Sequence, residues 1–248
     1  MTLQQFFNEH PRCALGFSGG VDSSYLLAAA KQCGAEVRPY FVRTAFQPEF
    51  ELEDARRVCR ELGTELTVLE HDILSVPGVA ANPPERCYYC KRAIFSLIRE
   101  RALSDGYDTL IDGNNASDDA SDRPGMRAVK ELGVLSPLRI CGLTKEDIRA
   151  RSRELGLFTA SKPAYACLAT RVSTGTAITA ADLRRVERAE DAMRAMGFDD
   201  FRVRIAKDGA ARLELRPEQM PMAVERRSGI MDALGGDFER VVMDLKGR

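Results

Sequence analysis

Residues 13–24 of this 248-residue chain read CALGFSGGVDSS. Cys13 to Phe17 form a short uncharged run, the pattern of a strand buried on both faces. It breaks at Ser18-Gly19-Gly20, and the chain resumes as a helical pattern, SSYLLAAAKQC, that ends at Gly34, a residue suited to closing a helix. A buried strand passed straight into a helix through a glycine turn is the repeating piece of a parallel α/β sheet, and the sequence that follows continues the piece.

EVRPYFVR and ELTVLEHD read as strands, and DTLIDGNN as a fourth strand ending in a loop. Between them lie EFELEDARRVCRELG, with Ala55, Val58 and Leu62 near helical spacing, and the helical KRAIFSLIRERALSDG. LTKEDIRARSRELG follows, with Thr144 as N-cap and Asp147 placed for a capping box. This alternation predicts a parallel sheet with helices on both faces. After about residue 172 the texture changes to a charged helix (TAADLRRVERAEDAMRAMG), two alternating strands (DFRVRIA, AARLELR), a helical stretch starting near Pro217, and a last strand, RVVMDLKG. The expected organisation is an α/β domain over 1–172 and a smaller α+β domain over 173–248.

The totals narrow the function classes. Net charge is −1, so no overall basic field holds nucleic acid, and none is expected as a partner. No apolar run approaches the roughly 20 residues that span a bilayer, and MTLQQFFNEHPRC lacks the basic-then-apolar order of a signal peptide, so a cytoplasmic protein without membrane partners is expected. Seven cysteines, an odd number, argue against a disulfide framework. The two histidines, His10 and His71, sit in no motif, which argues against a Ser-His-Asp triad or a His-rich zinc site.

In an open parallel sheet, ligands bind beyond the carboxyl ends of the strands. There, Gly19 and Gly20 permit a tight turn and close backbone approach, and the helix that follows offers free amides to an anion. Ser18, Ser23 and Ser24 can donate to phosphate oxygens. Asp22 would repel bare phosphate and makes sense with a bridging Mg²⁺. The stretch reads as a magnesium pyrophosphate site, although a glycine turn capped by an ordinary Asp is the plainer alternative. Neither G-x-x-x-x-G-K-[ST] nor G-x-G-x-x-G is present.

NPPERCYYCK sets Cys87 and Cys90 three positions apart, followed by Lys91, in a stretch read as loop. Far downstream, SKPAYACLATR places Cys167 between Lys162 and Arg171, a setting that favours a thiolate. The three cysteines can be two ligands plus one nucleophile, or three ligands of a [4Fe–4S] cluster with one iron open. Cys13, Cys33, Cys59 and Cys141 have no partner spacing and are taken as structural.

SGGVDSS resembles the loop of the PP-loop ATP pyrophosphatases, whose domain is of the adenine nucleotide alpha hydrolase-like kind. In order, SGGVDSS, NPPERCYYCK, DGNNASDDASDRPG, SPL, LTKEDIRARSRELGL and KPAYACLATR resemble the ATP-dependent sacrificial sulfur transferases, the LarE family. The likeness runs from about residue 12 to about residue 216.

The resemblance implies adenylation of a carboxylate of pyridinium-3,5-biscarboxylic acid mononucleotide, release of pyrophosphate, and conversion to a thiocarboxylate during nickel-pincer nucleotide synthesis. It places Ser18, Gly19, Gly20, Val21, Asp22, Ser23, Ser24, Arg43, Asp112 and Gly113 at the ATP, with Mg²⁺ on Asp22. Cys167 takes the sulfur-donor position, and Cys87 and Cys90 match members that add a [4Fe–4S] cluster, in which Cys167 is not consumed. Lys91 and Arg171 become clamps for phosphate or oxyanion, and Arg123 a ligand for substrate carboxylate or phosphate. Glu190, Arg202 and Arg204 resemble positions lining the family's oligomer site and are expected to bind substrate there, which implies a homo-oligomer, a hexamer by analogy. Competing readings are a cluster-dependent tRNA thiolase, an amidating ligase such as NAD synthetase, and a non-catalytic nucleotide or iron–sulfur sensor.

Overall fold

The computed structural model describes residues 1–118 and 124–248, and these form two compact units. The first comprises Met1–Val76 and Glu85–Lys162, the second Pro77–Pro84 and Pro163–Arg248.

The first unit begins with α1 (Leu3–Glu9), closed by a Thr2/Gln5 capping box. It continues through β1 (Arg12–Gly16), α2 (Val21–Gln32), β2 (Glu36–Arg43), α3 (Glu49–Glu61) and β3 (Thr67–Glu70). After the chain returns come α4 (Arg86–Ser104), β4 (Leu110–Ile111), α5 (Pro124–Glu131), α6 (Pro137–Ile140) and α7 (Lys145–Glu154). The four strands pair only in parallel, in the order β3-β2-β1-β4, so the expected α/β parallel sheet is present.

Strand alternation explains why both faces are covered. Cys13 and Leu15 of β1 join one apolar cluster, with Phe6, Leu26, Leu52, Val58 and Ile148 from α1, α2, α3 and α7. Ala14 joins the other, with Phe95, Ile98 and Ala102, spaced three and four apart along α4. Successive strands step from β1 to β2 to β3, and the chain then crosses to the far side of β1 for β4. That reversal opens a crevice at the carboxyl ends of β1 and β4.

Helix ends follow local chemistry. Gly34 takes φ +75, and the Ala35 amide donates to the Ala30 carbonyl, closing α2. Thr144 and Asp147 make the anticipated capping box at α7.

In the second unit, α8 (Ala180–Ala195) packs Leu183, Val186 and Met193 inward. β5 (Arg202–Ile205) and β6 (Ala211–Glu214) form an antiparallel pair. After α9 (Met220–Glu225) and α10 (Arg227–Leu234), β7 (Val241–Met243) lies parallel to β6. Residues 163–172 belong to this unit: Val172 bridges Ile205, and the buried Asn82 side chain donates to the Ser173 carbonyl at 2.9 Å. Asn82 takes φ +54, which asparagine tolerates better than most residues. Among the described residues no helix is long and apolar enough to cross a membrane.

Candidate active site

The glycine turn lies where the β1/β4 reversal places a ligand. Gly19 sits at φ +69, and a Cβ there would stand 2.9 Å from the Ala55 backbone nitrogen, so only glycine fits. Gly20 is the N-cap of α2, and no side chain caps that helix. Its first-turn amides and dipole end are therefore available to an anion. The Ser23 hydroxyl donates to the Gly20 carbonyl at 3.2 Å and lies 3.3 Å from the Ser18 hydroxyl. Ser24 Oγ is buried with no hydrogen-bond partner. Val21 and Ser24 are buried as the helix turns into the core.

The end of β4 faces this loop. A Cβ on Gly113 would come 3.0 Å from the Ser23 nitrogen, so glycine lets the two segments meet. Asp112 is buried and accepts from the Asn114 amide at 3.0 Å. Burial pushes its carboxyl above the usual range, against the opposing pull of Ser136, the Asn114 amide and Lys91. Asn115, also buried, donates to Asp22 Oδ1 at 3.3 Å, and Lys145 Nζ lies 2.5 Å from Asp22 Oδ2. Asn115 and Lys145 are site residues that sequence reading missed. Lys145 left one signal: it is a cation in the first turn of a helix, where the dipole favours anions. Arg43 ends β2 on the same side of the sheet, paired with Glu49 at 2.6 Å and Glu70 at 3.5 Å.

The loop expected around Cys87 and Cys90 is instead the first turn of α4. Pro83 and Pro84 lack the amides to continue a helix from upstream, Pro84 and Glu85 form a turn, and from Arg86 the helical pattern of KRAIFSLI runs back through CYYC. Positions i and i+3 bring Cys87 and Cys90 to one helix face. Cys87 is exposed and receives a hydrogen bond from Arg86 at 3.7 Å. Gly125 is packed against this turn, where a Cβ would lie 3.3 Å from Lys91 Cγ and 3.6 Å from the Cys87 carbonyl. Arg123 falls outside the described residues.

Cys167 lies in the second unit, half-buried, ahead of a short 3₁₀ turn over Leu168–Arg171. Its carbonyl accepts from the Thr170 hydroxyl at 2.9 Å and the Thr170 amide at 3.0 Å. Arg171 is held by Glu190 through Nε at 2.7 Å and Nη2 at 3.1 Å, and its Nη1 donates to the Ala166 carbonyl at 2.7 Å. Glu190 also accepts from Tyr165 at 2.6 Å and from the Val203 amide at 3.1 Å. Arg171 and Glu190 thus tie the Cys167 turn to α8 and β5. Lys162 is spoken for in the first unit, 2.5 Å from Asp54 and stacked over Phe50. Arg204 pairs with Glu214 at 2.6 Å and donates to the Thr170 carbonyl. Burial, then repulsion from Arg248, Arg171 and Arg204, lowers the affinity of the Arg202 guanidinium for its proton. Arg248 is in turn paired with Asp200 at 2.5 Å.

The loop fits Mg²⁺ nucleotide on its own terms. It supplies a carboxylate, uncapped helix amides and a glycine whose side chain would clash. For iron–sulfur, the donor chemistry of two thiols on one helix face is suitable. Among the described residues, however, no group of three or more His, Cys, Asp or Glu side chains is arranged to hold a metal ion.

Known sequences resemble this chain. The asparagine synthase family model matches residues 8–89, which include the glycine turn. An uncharacterized Synechocystis sp. protein is 38% identical, covering 99% of this chain and 93% of its own. A tRNA-specific 2-thiouridylase of Thermotoga sp. is 27% identical over only 61% of this chain and 54% of its own. The pyridinium-3,5-bisthiocarboxylic acid mononucleotide synthase of Lactiplantibacillus plantarum is 31% identical, covering 99% of this chain and 90% of its own. With that identity along nearly the whole of both chains, and a PP-loop nucleotide turn at the sheet reversal, the chain belongs to the LarE family of ATP-dependent, adenylating sulfur transferases.

Proposed function

We propose that the protein converts a carboxylate of pyridinium-3,5-biscarboxylic acid mononucleotide to a thiocarboxylate at the expense of ATP, in the building of the nickel-pincer nucleotide. The observation that carries this reading is the full-length likeness to a synthase whose printed name is the bisthiocarboxylic product. The thiouridylase likeness stops at 61% of the chain, and the net charge of −1 gives tRNA no basic field, so a tRNA substrate is the weaker reading.

The first half-reaction belongs to the first unit. A substrate carboxylate oxygen attacks the α-phosphorus, the bond to the bridging oxygen breaks, and pyrophosphate leaves with that electron pair. The α2 amides and the Ser18, Ser23 and Ser24 hydroxyls hold the departing phosphates, with Lys91 and Lys145 as nearby cations. Asp22 would hold Mg²⁺, which when bound offsets charge on the leaving group. Asp112 and Gly113 face the ribose or adenine.

In the second half-reaction a sulfur nucleophile attacks the acyl carbon, and the C–O bond to AMP breaks as AMP leaves. Cys167 supplies that sulfur in the consumed mode: its thiolate forms a thioester, and loss of its Cα proton to a base with cleavage of its Cβ–S bond leaves dehydroalanine and releases the thiocarboxylate. In the cluster mode Cys87, Cys90 and Cys167 would hold a [4Fe–4S] centre, which would pass on added sulfide and leave Cys167 intact. Arg171 anchors the Cys167 turn through Glu190. The Arg202 region receives the substrate phosphate, and a homo-oligomer would build that site.

Anaerobic incubation with ATP, Mg²⁺, sulfide and the biscarboxylic mononucleotide, followed by mass spectrometry, tests the reading. A product with sulfur in place of one carboxylate oxygen is expected. Intact substrate beside thiolated tRNA, when tRNA is supplied, would overturn it. The protein's own mass separates the modes, because the consumed mode leaves it short of the elements of hydrogen sulfide.

A further inference from the structure

Both oxygens of Asp22, the carboxylate assigned to Mg²⁺, are already engaged. Oδ1 accepts from Asn115 Nδ2 at 3.3 Å, and Oδ2 lies 2.5 Å from the Lys145 ammonium. Lys145 is the first residue of α7, a position where helix electrostatics disfavour a cation. The rest of that turn obeys the rule, with Glu146 next and Asp147 completing the capping box. The Lys145 amide donates to the Ser117 hydroxyl at 3.0 Å, so its backbone is pinned to the segment after β4 while its side chain crosses to α2.

We propose that Lys145 is a phosphate-binding residue of the nucleotide site that also serves as its resting counterion. It neutralises Asp22 while the turn holds no nucleotide, and it transfers to phosphate oxygens when magnesium nucleotide arrives. The proposal rests on the reading of Ser18–Ser24 as a magnesium ATP site. The charge argument is direct. A bare divalent cation approaching Asp22 meets the Lys145 ammonium, which repels it and competes for the same oxygen. A metal carried in on a triphosphate brings negative charge that satisfies Lys145 as Asp22 is released. Metal then enters with the nucleotide and not before it. An ordinary half-exposed ion pair contributes little to stability.

The test compares the full-length wild type with Lys145→Ala and Lys145→Arg. Binding of Mn²⁺ alone is followed by electron paramagnetic resonance, and binding of magnesium ATP by calorimetry. Lys145→Ala removes a cation from the positive end of α7, so the fold is retained. It is expected to bind Mn²⁺ alone about tenfold more tightly and magnesium ATP about tenfold more weakly, the scale of one charged hydrogen bond. Lys145→Arg keeps the weak Mn²⁺ binding and recovers most of the nucleotide affinity. No change in either affinity for Lys145→Ala, or a change of both in one direction, overturns the Lys145 role while leaving the nucleotide site standing. Failure of the wild type to bind magnesium ATP overturns both.

Discussion

Arg171 and Glu190 meet as a two-pronged ion pair sealed inside the second unit, with side chains 1% and 0% exposed. Arg171 lies four residues after Cys167, the proposed sulfur position, and the pair's partners account for the placement of that turn: Ala166 on one side, Tyr165 and the Val203 amide on the other. Burial opposes the Arg171 charge, yet the Glu190 carboxylate outweighs it and holds the guanidinium more firmly protonated than usual. Burial and the same carboxylate push the Tyr165 phenol well above its usual value.

Removing one partner of such a pair strands the other. Glu190→Ala should destabilise the protein by about 3–5 kcal/mol, because a buried guanidinium is left uncompensated. Arg171→Met with Glu190→Met should recover much of that loss, since apolar replacement of a buried pair is often close to neutral. Denaturant unfolding of the singles and the double measures both. Sulfur transfer should remain impaired in the double, because the Arg171 bond to the Ala166 carbonyl and its tie to α8 are then lost.

Asp112 gives the stability a pH dependence of known sign. Its folded-state carboxyl titrates above the ordinary carboxylate range because of burial. The folded protein therefore binds that proton more tightly than the unfolded chain does. Its contribution is fully present below the ordinary carboxylate value and is lost as pH rises through the raised one. Asp112→Asn lacks this loss. The unfolding free energy of the variant relative to wild type should shift in the variant's favour as pH rises from about 4, while its affinity for ATP falls. Unfolding curves across that pH window, with ATP titrations, check both directions.

Gly19→Ala would place a Cβ at φ +69 and 2.9 Å from the Ala55 nitrogen. The left-handed backbone alone costs about 1–2 kcal/mol for a residue with a side chain, and the clash with α3 adds to it. A lower melting temperature is expected, together with a smaller stabilisation by magnesium ATP, since the displaced turn no longer presents the α2 amides. Thermal unfolding with and without nucleotide measures the two effects separately.

The cysteines should separate by reactivity. Burial pushes the thiols of Cys13 and Cys59 up to about 12, so both are inert at neutral pH. Exposed Cys87 and half-buried Cys90 and Cys167 should be alkylated first in iron-free protein. If they hold a cluster, reconstitution with iron and sulfide should protect all three, and Cys87→Ala should remove the protection. Peptide mapping after brief iodoacetamide treatment reads both results.

Much of the fold was legible because it is written locally. The uncharged Cys13–Phe17 run, the Gly34 stop and the Thr144/Asp147 box each act within a few residues, and the strand–helix alternation then leaves few topologies open. The glycine turn was legible for the same reason. What escaped was written across distance. Lys145 reaches Asp22 from 123 residues away, and Glu190 meets Arg171 from 19 away, so neither pairing has a local pattern. The start of α4 was hidden differently: a C-x-x-C reads as a ligand loop, while the Pro83-Pro84 entry and the helical periodicity after it set Cys87 and Cys90 on a helix turn. The short α1 was also missed, although Thr2 and Gln5 carried its capping box in plain view.

The central claim is that the Ser18–Ser24 turn drives adenylation of a pyridinium carboxylate. It is tested most directly by measuring pyrophosphate and AMP released from ATP with and without pyridinium-3,5-biscarboxylic acid mononucleotide, in wild type and Asp22→Ala. The account predicts pyrophosphate that appears only with the mononucleotide, in step with AMP, and is lost in Asp22→Ala. Release of ADP and inorganic phosphate, or pyrophosphate release that survives Asp22→Ala unchanged, would contradict it.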